Sequence, residues 1–183
     1  MTVLPTLGTL STEPALARPD LLAPATVTTL RALPWADQVA VAEIDPALAD
    51  TASLVAAHAV PADASANCVV VGGRREGLER VAACVVLATT RADVNGLVRR
   101  RLDVRKASFL AMDLAVAQTG MEYGGITPIG LPDGWPVLVD ARAVAVPVAV
   151  IGSGVRRSKL VLPGRLLAQL PGAEVVEGLG LPG

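Results

Sequence analysis

The chain is poor in aromatic side chains: two tryptophans, one tyrosine and one phenylalanine among 183 residues, 2 % in all. Its core must therefore be filled by Ala, Val and Leu, which supply most of the 52 % apolar residues. Histidine occurs once, as His58, in a helical apolar pattern where a structural or surface role suffices. Cysteine occurs twice, as Cys68 and Cys84. That inventory supports neither a Ser-His-Asp triad nor a Cys/His zinc cluster nor the disulfide framework of a small secreted domain. Long apolar runs are missing too, since no window reaches the 18 or so residues of a spanning helix, so no membrane partner is expected. Met1-Thr2-Val3-Leu4-Pro5 lacks the basic region and apolar stretch of a secretory signal, and a cytoplasmic protein is expected. Net charge is −1, whereas proteins that grip long stretches of nucleic acid carry a basic balance or face. Any contact with nucleic acid should be small or local.

A chain of this length suits one domain with a sizeable core. Residues 1–25 carry Pro5, Pro14, Pro19 and Pro24, and read as an extended, loosely docked arm ahead of a domain at 26–183. A short helix is expected at 26–33, and a half-buried strand at Gln38–Ile44, where apolar and polar residues alternate. Asp50–Ala59 has helical spacing. Asn67–Val71 and Arg80–Ala88 are β-branched runs separated by turn chemistry, which predicts a hairpin. A three-residue loop Arg75-Glu76-Gly77 would place Cys68 opposite Cys84, with both thiols free in a reducing compartment.

Thr90, with Asp93 three residues on, reads as the cap of a helix running to about Leu102. A further helix fits Met112–Gln118, ended by Thr119-Gly120. Strands are expected at Val137–Asp140, Val146–Ile151, Leu160–Leu162 and Ala173–Glu177, with a helix at Gly164–Leu170 opened by Pro163. Adjacent strands mixed with isolated helices indicate an α+β class rather than strict βαβ alternation.

The informative stretch runs from Thr119 to Gly130, with four glycines and Pro128 in twelve residues. Glycine lets backbone N–H groups approach a carbonyl or an oxyanion directly, though a tight structural turn would use the same residues. The string Gly124-Gly125-Ile126-Thr127-Pro128 resembles the glycine-rich loop of YbaK-like aminoacyl-tRNA deacylases, relatives of the editing domain of some prolyl-tRNA synthetases. The resemblance extends back through Arg105–Phe109 and the Thr119-Gly120 turn. It extends forward through Val139-Asp140, Gly152-Ser153-Gly154 and Leu160–Leu170, and more weakly over 38–105.

The resemblance implies a curved mixed β-sheet flanked by helices. It also implies hydrolysis, without metal or cofactor, of the ester joining a wrong amino acid to the tRNA 3′ end. The expected partners are a tRNA acceptor end carrying an amino acid and an aminoacyl-tRNA synthetase. Gly124 and Gly125 would supply amides to the ester carbonyl. Gly120, Thr127, Pro128, Asp140, Gly152, Ser153 and Gly154 would shape or contact the substrate. Asp140 would equally serve as a turn cap. Two positions depart from the family pattern. Many members have a lysine at the start of the first hairpin strand and an aspartate on the late strand, where this chain has Asn67 and Lys159. Both are expected to face the pocket, the positive charge having crossed it. Two basic runs, Arg99 to Lys106 and Arg156 to Lys159, are either solvated faces or phosphate contacts. The rival to a deacylase is a non-catalytic module binding aminoacylated tRNA or a nucleotide-like end.

Overall fold

The computed structural model describes residues 3–183, so the first two residues of the expected arm lie outside the described residues. Its spine is the hairpin of β3 (Ala66–Arg75) and β4 (Leu78–Leu87). The turn is two residues long: Glu76 and Gly77 both take left-handed φ angles, 53° and 80°, matching the twist of the flanking strands. This corrects the expected three-residue loop and moves the register by one. Cys84 lies opposite Val69, and Cys68 opposite Val85. Side chains alternate across a sheet, so the two thiols face opposite sides; both are free.

The strands form two main sheets. In the larger, β3 and β4 are flanked by β6 (Ala107–Phe109) on one side and by β7 (Val137–Asp140) and β10 (Ala173–Val176) on the other, in the order β10-β7-β4-β3-β6. The β4–β7 and β7–β10 pairs are parallel and the others antiparallel. The second sheet is antiparallel throughout, in the order β1 (Glu13–Pro14), β2 (Ala40–Glu43), β9 (Ser158–Leu162), β8 (Ala149–Gly152). A bridge between Ser65 and Val150 joins the two sheets. The α+β class and mixed pairing hold, with the sheet divided in two at that bridge.

Apolar side chains fill three layers. Val85, Leu87, Val137 and Val139 meet Val41, Ile151, Leu160 and Leu162 between the sheets, under α1 (Pro24–Ala32). Cys84, Val86 and Leu138 pack beneath Val94, Val98 and Leu102 on the far side of the larger sheet. Val150 and Val161 pack against Leu54 of α2 (Thr51–His58). Ala, Val and Leu thus do the work that the missing aromatics do elsewhere.

Local capping explains several boundaries. Asp50 caps α2, accepting from the Ser53 amide at 3.0 Å. Asp93, not Thr90, caps the next helix: its carboxylate accepts from Gly96 and Leu97 at 3.0 and 2.8 Å. A π turn, Val94–Val98, then leads into α3 (Arg99–Leu102). Thr90 instead belongs to β5 (Thr90–Ala92), paired with the C-terminal β11 (Gly180–Pro182), a partner too distant in sequence for local pattern to reveal. Gly120, at φ 67°, ends α4 (Met112–Thr119). A short α5 (Ala141–Ala145), capped by Asp140, separates β7 from β8, and Gly164–Gln169 is 3₁₀ rather than α.

The segment ahead of α1 is held firmly. Ala15, Leu21 and Leu22 are buried in the layer between the sheets. The Ala23 amide donates to Ser153 O at 3.2 Å, and the Ser158 hydroxyl donates to Leu21 O.

Candidate active site

A cleft of about 580 Å³ opens where the two sheets part beside the Ser65–Val150 bridge. One wall is the start of β3, from Ala66 to Val70; opposite it stand Val150–Gly152 of β8 and Lys159 of β9. Around it also stand the Asp50 cap of α2, Leu110, Ala115 of α4, and the loop residues Tyr123, Gly124 and Ile126. Asn67, Gly124, Gly152 and Lys159, from the residues singled out in the sequence, therefore meet in one place.

Lys159 is only 8 % exposed. Its strand pairs on both sides, with Ala42 of β2 and Gly152 of β8, which fixes its backbone deep in the fold. Its Nζ donates to Ala49 O at 2.7 Å, one acceptor for a group with three donors. Burial, together with the nearby Arg156 charge, pushes its pKa down to about 8, while Asp50 acts weakly in the opposite sense. Asn67 is half-buried, and its side-chain oxygen accepts from the Thr51 hydroxyl at 3.0 Å.

The glycine loop is tied to the late glycine segment by reciprocal backbone bonds. Glu122 N donates to Gly154 O at 2.9 Å, and Gly154 N to Gly125 O at 2.7 Å. The Gly125 amide is spent within the loop on Glu122 O at 2.9 Å. This corrects the expectation that Gly125 supplies an amide to substrate. Among the described residues, the amides of Gly124 and Ile126 have no acceptor, and both residues line the cleft. A Cβ on Gly125 would sit 2.6 Å from the Val155 carbonyl, and one on Gly152 would strike the Gly125 and Ile126 carbonyls. These two glycines permit backbone to lie on backbone. Gly124 differs: at φ 82° its added Cβ would meet only the Arg156 side chain.

The other expected site residues lie outside the cleft lining. Gly120 terminates α4. Thr127 is fully buried under the loop, its hydroxyl accepting from Ile129 N at 3.4 Å. Pro128 borders a separate hollow beside Trp135. Ser153 is buried and donates to the carbonyls of Val155 and Ser158. Gly154 packs against Ala23. Asp140 is 1 % exposed and binds the Arg142 amide at 2.8 Å, the Arg142 guanidinium at 3.0 Å and the Gly180 amide. Burial works to raise its pKa, but the Arg142 side chain and the two amides outweigh it and hold the carboxyl below the usual range.

The basic runs divide as well. Arg156 lines the cleft. Its guanidinium donates to Pro46 O at 3.0 Å and Tyr123 O at 3.3 Å. Arg157 turns away to Asp20, and Arg101 pairs with Glu174. Arg105 and Lys106 are exposed just before β6. Sequence reading missed Asp50 as a cleft residue. Its signal was the Asp-Thr-Ala-Ser start of α2, which announces a cap but says nothing of the cleft beside it.

Comparisons with known proteins agree with this architecture. No curated protein matches the sequence. A solved structure from work on computational grafting of epitopes onto scaffold proteins superposes with a TM-score of 0.73 at 19 % identity, covering 88 % of this chain and 97 % of that one. One provisionally described as a trans-editing enzyme for prolyl tRNA synthetase gives 0.72 at 18 % identity, covering 88 % and 99 %. A hypothetical protein gives 0.68 at 19 % identity, covering 77 % and 90 %. At such identities these structures show the fold alone. The sequence model of the aminoacyl-tRNA editing domain, however, matches residues 45–170, more than half of the chain and the whole of the cleft. The chain therefore belongs to the aminoacyl-tRNA editing domain family.

Proposed function

We propose that this protein acts in trans as a deacylase, hydrolysing the ester between a wrong amino acid and the 3′-terminal ribose of a tRNA. The observation that carries this reading is a single cleft lined by Gly124 and Ile126, whose amides have no acceptor among the described residues, and by Lys159 with its buried ammonium. Water attacks the ester carbonyl carbon, the carbonyl oxygen gains negative charge, and the two amides receive it. The bond to the ribose oxygen then breaks, that oxygen takes a proton, and a free amino acid and an intact tRNA leave. An aminoacyl ester is already activated, so positioning and oxyanion donors suffice. Lys159 holds the terminal ribose or phosphate with the donors that Ala49 leaves unused, and Asn67 offers its amide without charge. A neighbouring provisional trans-editing enzyme and the editing-domain match support this reading.

The test is deacylation of a panel of mischarged tRNAs. One or a few aminoacyl groups should be released, with kcat/KM falling as pH rises through about 8 and Lys159 loses its charge. Lys159→Ala should reduce turnover more than Arg157→Ala. Gly124→Ala keeps the amide but strains a backbone at φ 82° and presses a Cβ on the Arg156 guanidinium, so the misplaced donor should cost up to the roughly 100-fold seen when an oxyanion donor is removed. Tight binding of charged tRNA with no ester cleaved anywhere in the panel would instead establish a non-catalytic binding module.

A further inference from the structure

Phe109 and Tyr123 are the chain's only phenylalanine and tyrosine, and both border the cleft. They are left in water, at 60 % and 57 % exposure, with Met112 beside them at 55 %. Trp35, by contrast, is 4 % exposed. In a protein that builds its core almost without aromatics, leaving these two rings exposed at one opening calls for an occupant with an apolar face. The two rings come from independent elements. Phe109 ends β6, the edge strand of the larger sheet, opposite Val71. Tyr123 rides on the glycine loop, its carbonyl held by Arg156.

We propose that Phe109 and Tyr123 form a stacking site, at the mouth of the cleft, for the unpaired terminal base of an RNA strand. The inference rests on the deacylase reading and adds a subsite to it. A flat base stacks on an aromatic face without any hydrogen-bond pattern, which suits a mouth whose side chains present rings rather than matched donors and acceptors. Charge favours a nucleotide over an apolar peptide. Arg156 lies within the cleft, and exposed Arg105 and Lys106, free of ion pairs among the described residues, lead along the chain to Phe109. Phosphates of a strand emerging over Phe109 would meet them. The one carboxylate in the cleft lining, Asp50, is already engaged with the Ser53 amide, and Glu122, next to Tyr123, with the Arg156 amide.

The experiment measures binding of a fluorescently labelled ribotrinucleotide, CCA, and of the same strand with an abasic terminal position. Phe109→Ala and Tyr123→Ala should each weaken binding of CCA about 5- to 100-fold and leave binding of the abasic strand unchanged. Tyr123→Phe should bind as the parent does. Leu78→Ala, which removes an exposed apolar residue at the hairpin turn, should also be neutral. Both alanine changes fall at exposed positions, and unchanged thermal unfolding verifies that the fold survives. Equal binding of the two strands by the parent would overturn the proposal, as would equal losses on both strands in the alanine variants. Base discrimination without cleavage of any aminoacyl ester would sink the reaction while upholding the stacking site. Cleavage without base discrimination would do the reverse.

Discussion

Among the described residues two charged side chains are buried, and their surroundings differ in kind. Asp140, at the end of β7, receives two backbone amides and a guanidinium, and the fold lowers its pKa. Lys159, on β9, has one carbonyl and faces a like charge, and the fold lowers its pKa as well, to about 8. For an acid that shift stabilises the charged form; for a base it penalises it. Asp140 is therefore a charge the structure uses, whereas Lys159 is one it tolerates with donors to spare. The first belongs to the scaffold and the second has room for a ligand.

Removing each charge should separate the two roles. Asp140→Ala strips the cap from α5 and leaves Gly180 N without its acceptor, so unfolding by denaturant should show a loss of about 2–3 kcal/mol. The wild-type contribution is present above the ordinary carboxylate pKa and disappears as acid protonates the folded form, because the folded pKa is the lower one. Lys159→Met should act in the opposite direction. The folded pKa of about 8 lies below the ordinary 10.5, so between those values the unfolded chain holds more protons. Wild-type stability should thus rise from pH 8 to 10.5, with the burial penalty fully present below pH 8. The methionine variant should lack that rise and be more stable at neutral pH by up to about 3 kcal/mol, while substrate turnover falls. A destabilised Lys159→Met would erase the distinction between the two charges. The smallest effect belongs to Arg156→Ala. It removes the like charge near Lys159, so the alkaline rise should begin at a slightly higher pH, readable in the same titration.

The hairpin, the glycine loop, α4 and β7 to β10 were legible in the sequence because each is written in local pattern: β-branched runs, turn glycines, a terminating Gly120. The β5–β11 pair was not, since it joins Thr90 to Pro182 across half of the chain. The register failed by one residue because Glu76, a non-glycine, adopts a left-handed φ that local sequence does not demand. In the site, motif position carried Asn67, Gly124 and Lys159 into the cleft, since strand ends and loops place their residues predictably. Thr127, Ser153 and Gly154 lie in the same motifs yet turn inward to hold the loop. Nothing in a linear string distinguishes a residue that shapes a wall from one that braces it behind.

The bond from Ala23 to Ser153, and those from Ser158 and Arg157 to Leu21 and Asp20, fasten the back of the cleft to residues well outside the stretch recognisable as an editing domain. An excised 45–170 segment would keep every residue that lines the opening and lose the girder against which Gly152–Gly154 is set. The heritable signature of this domain is thus shorter than its mechanical unit. Transplanting the cleft to another protein would require carrying residues 20–26 as freight that no motif announces.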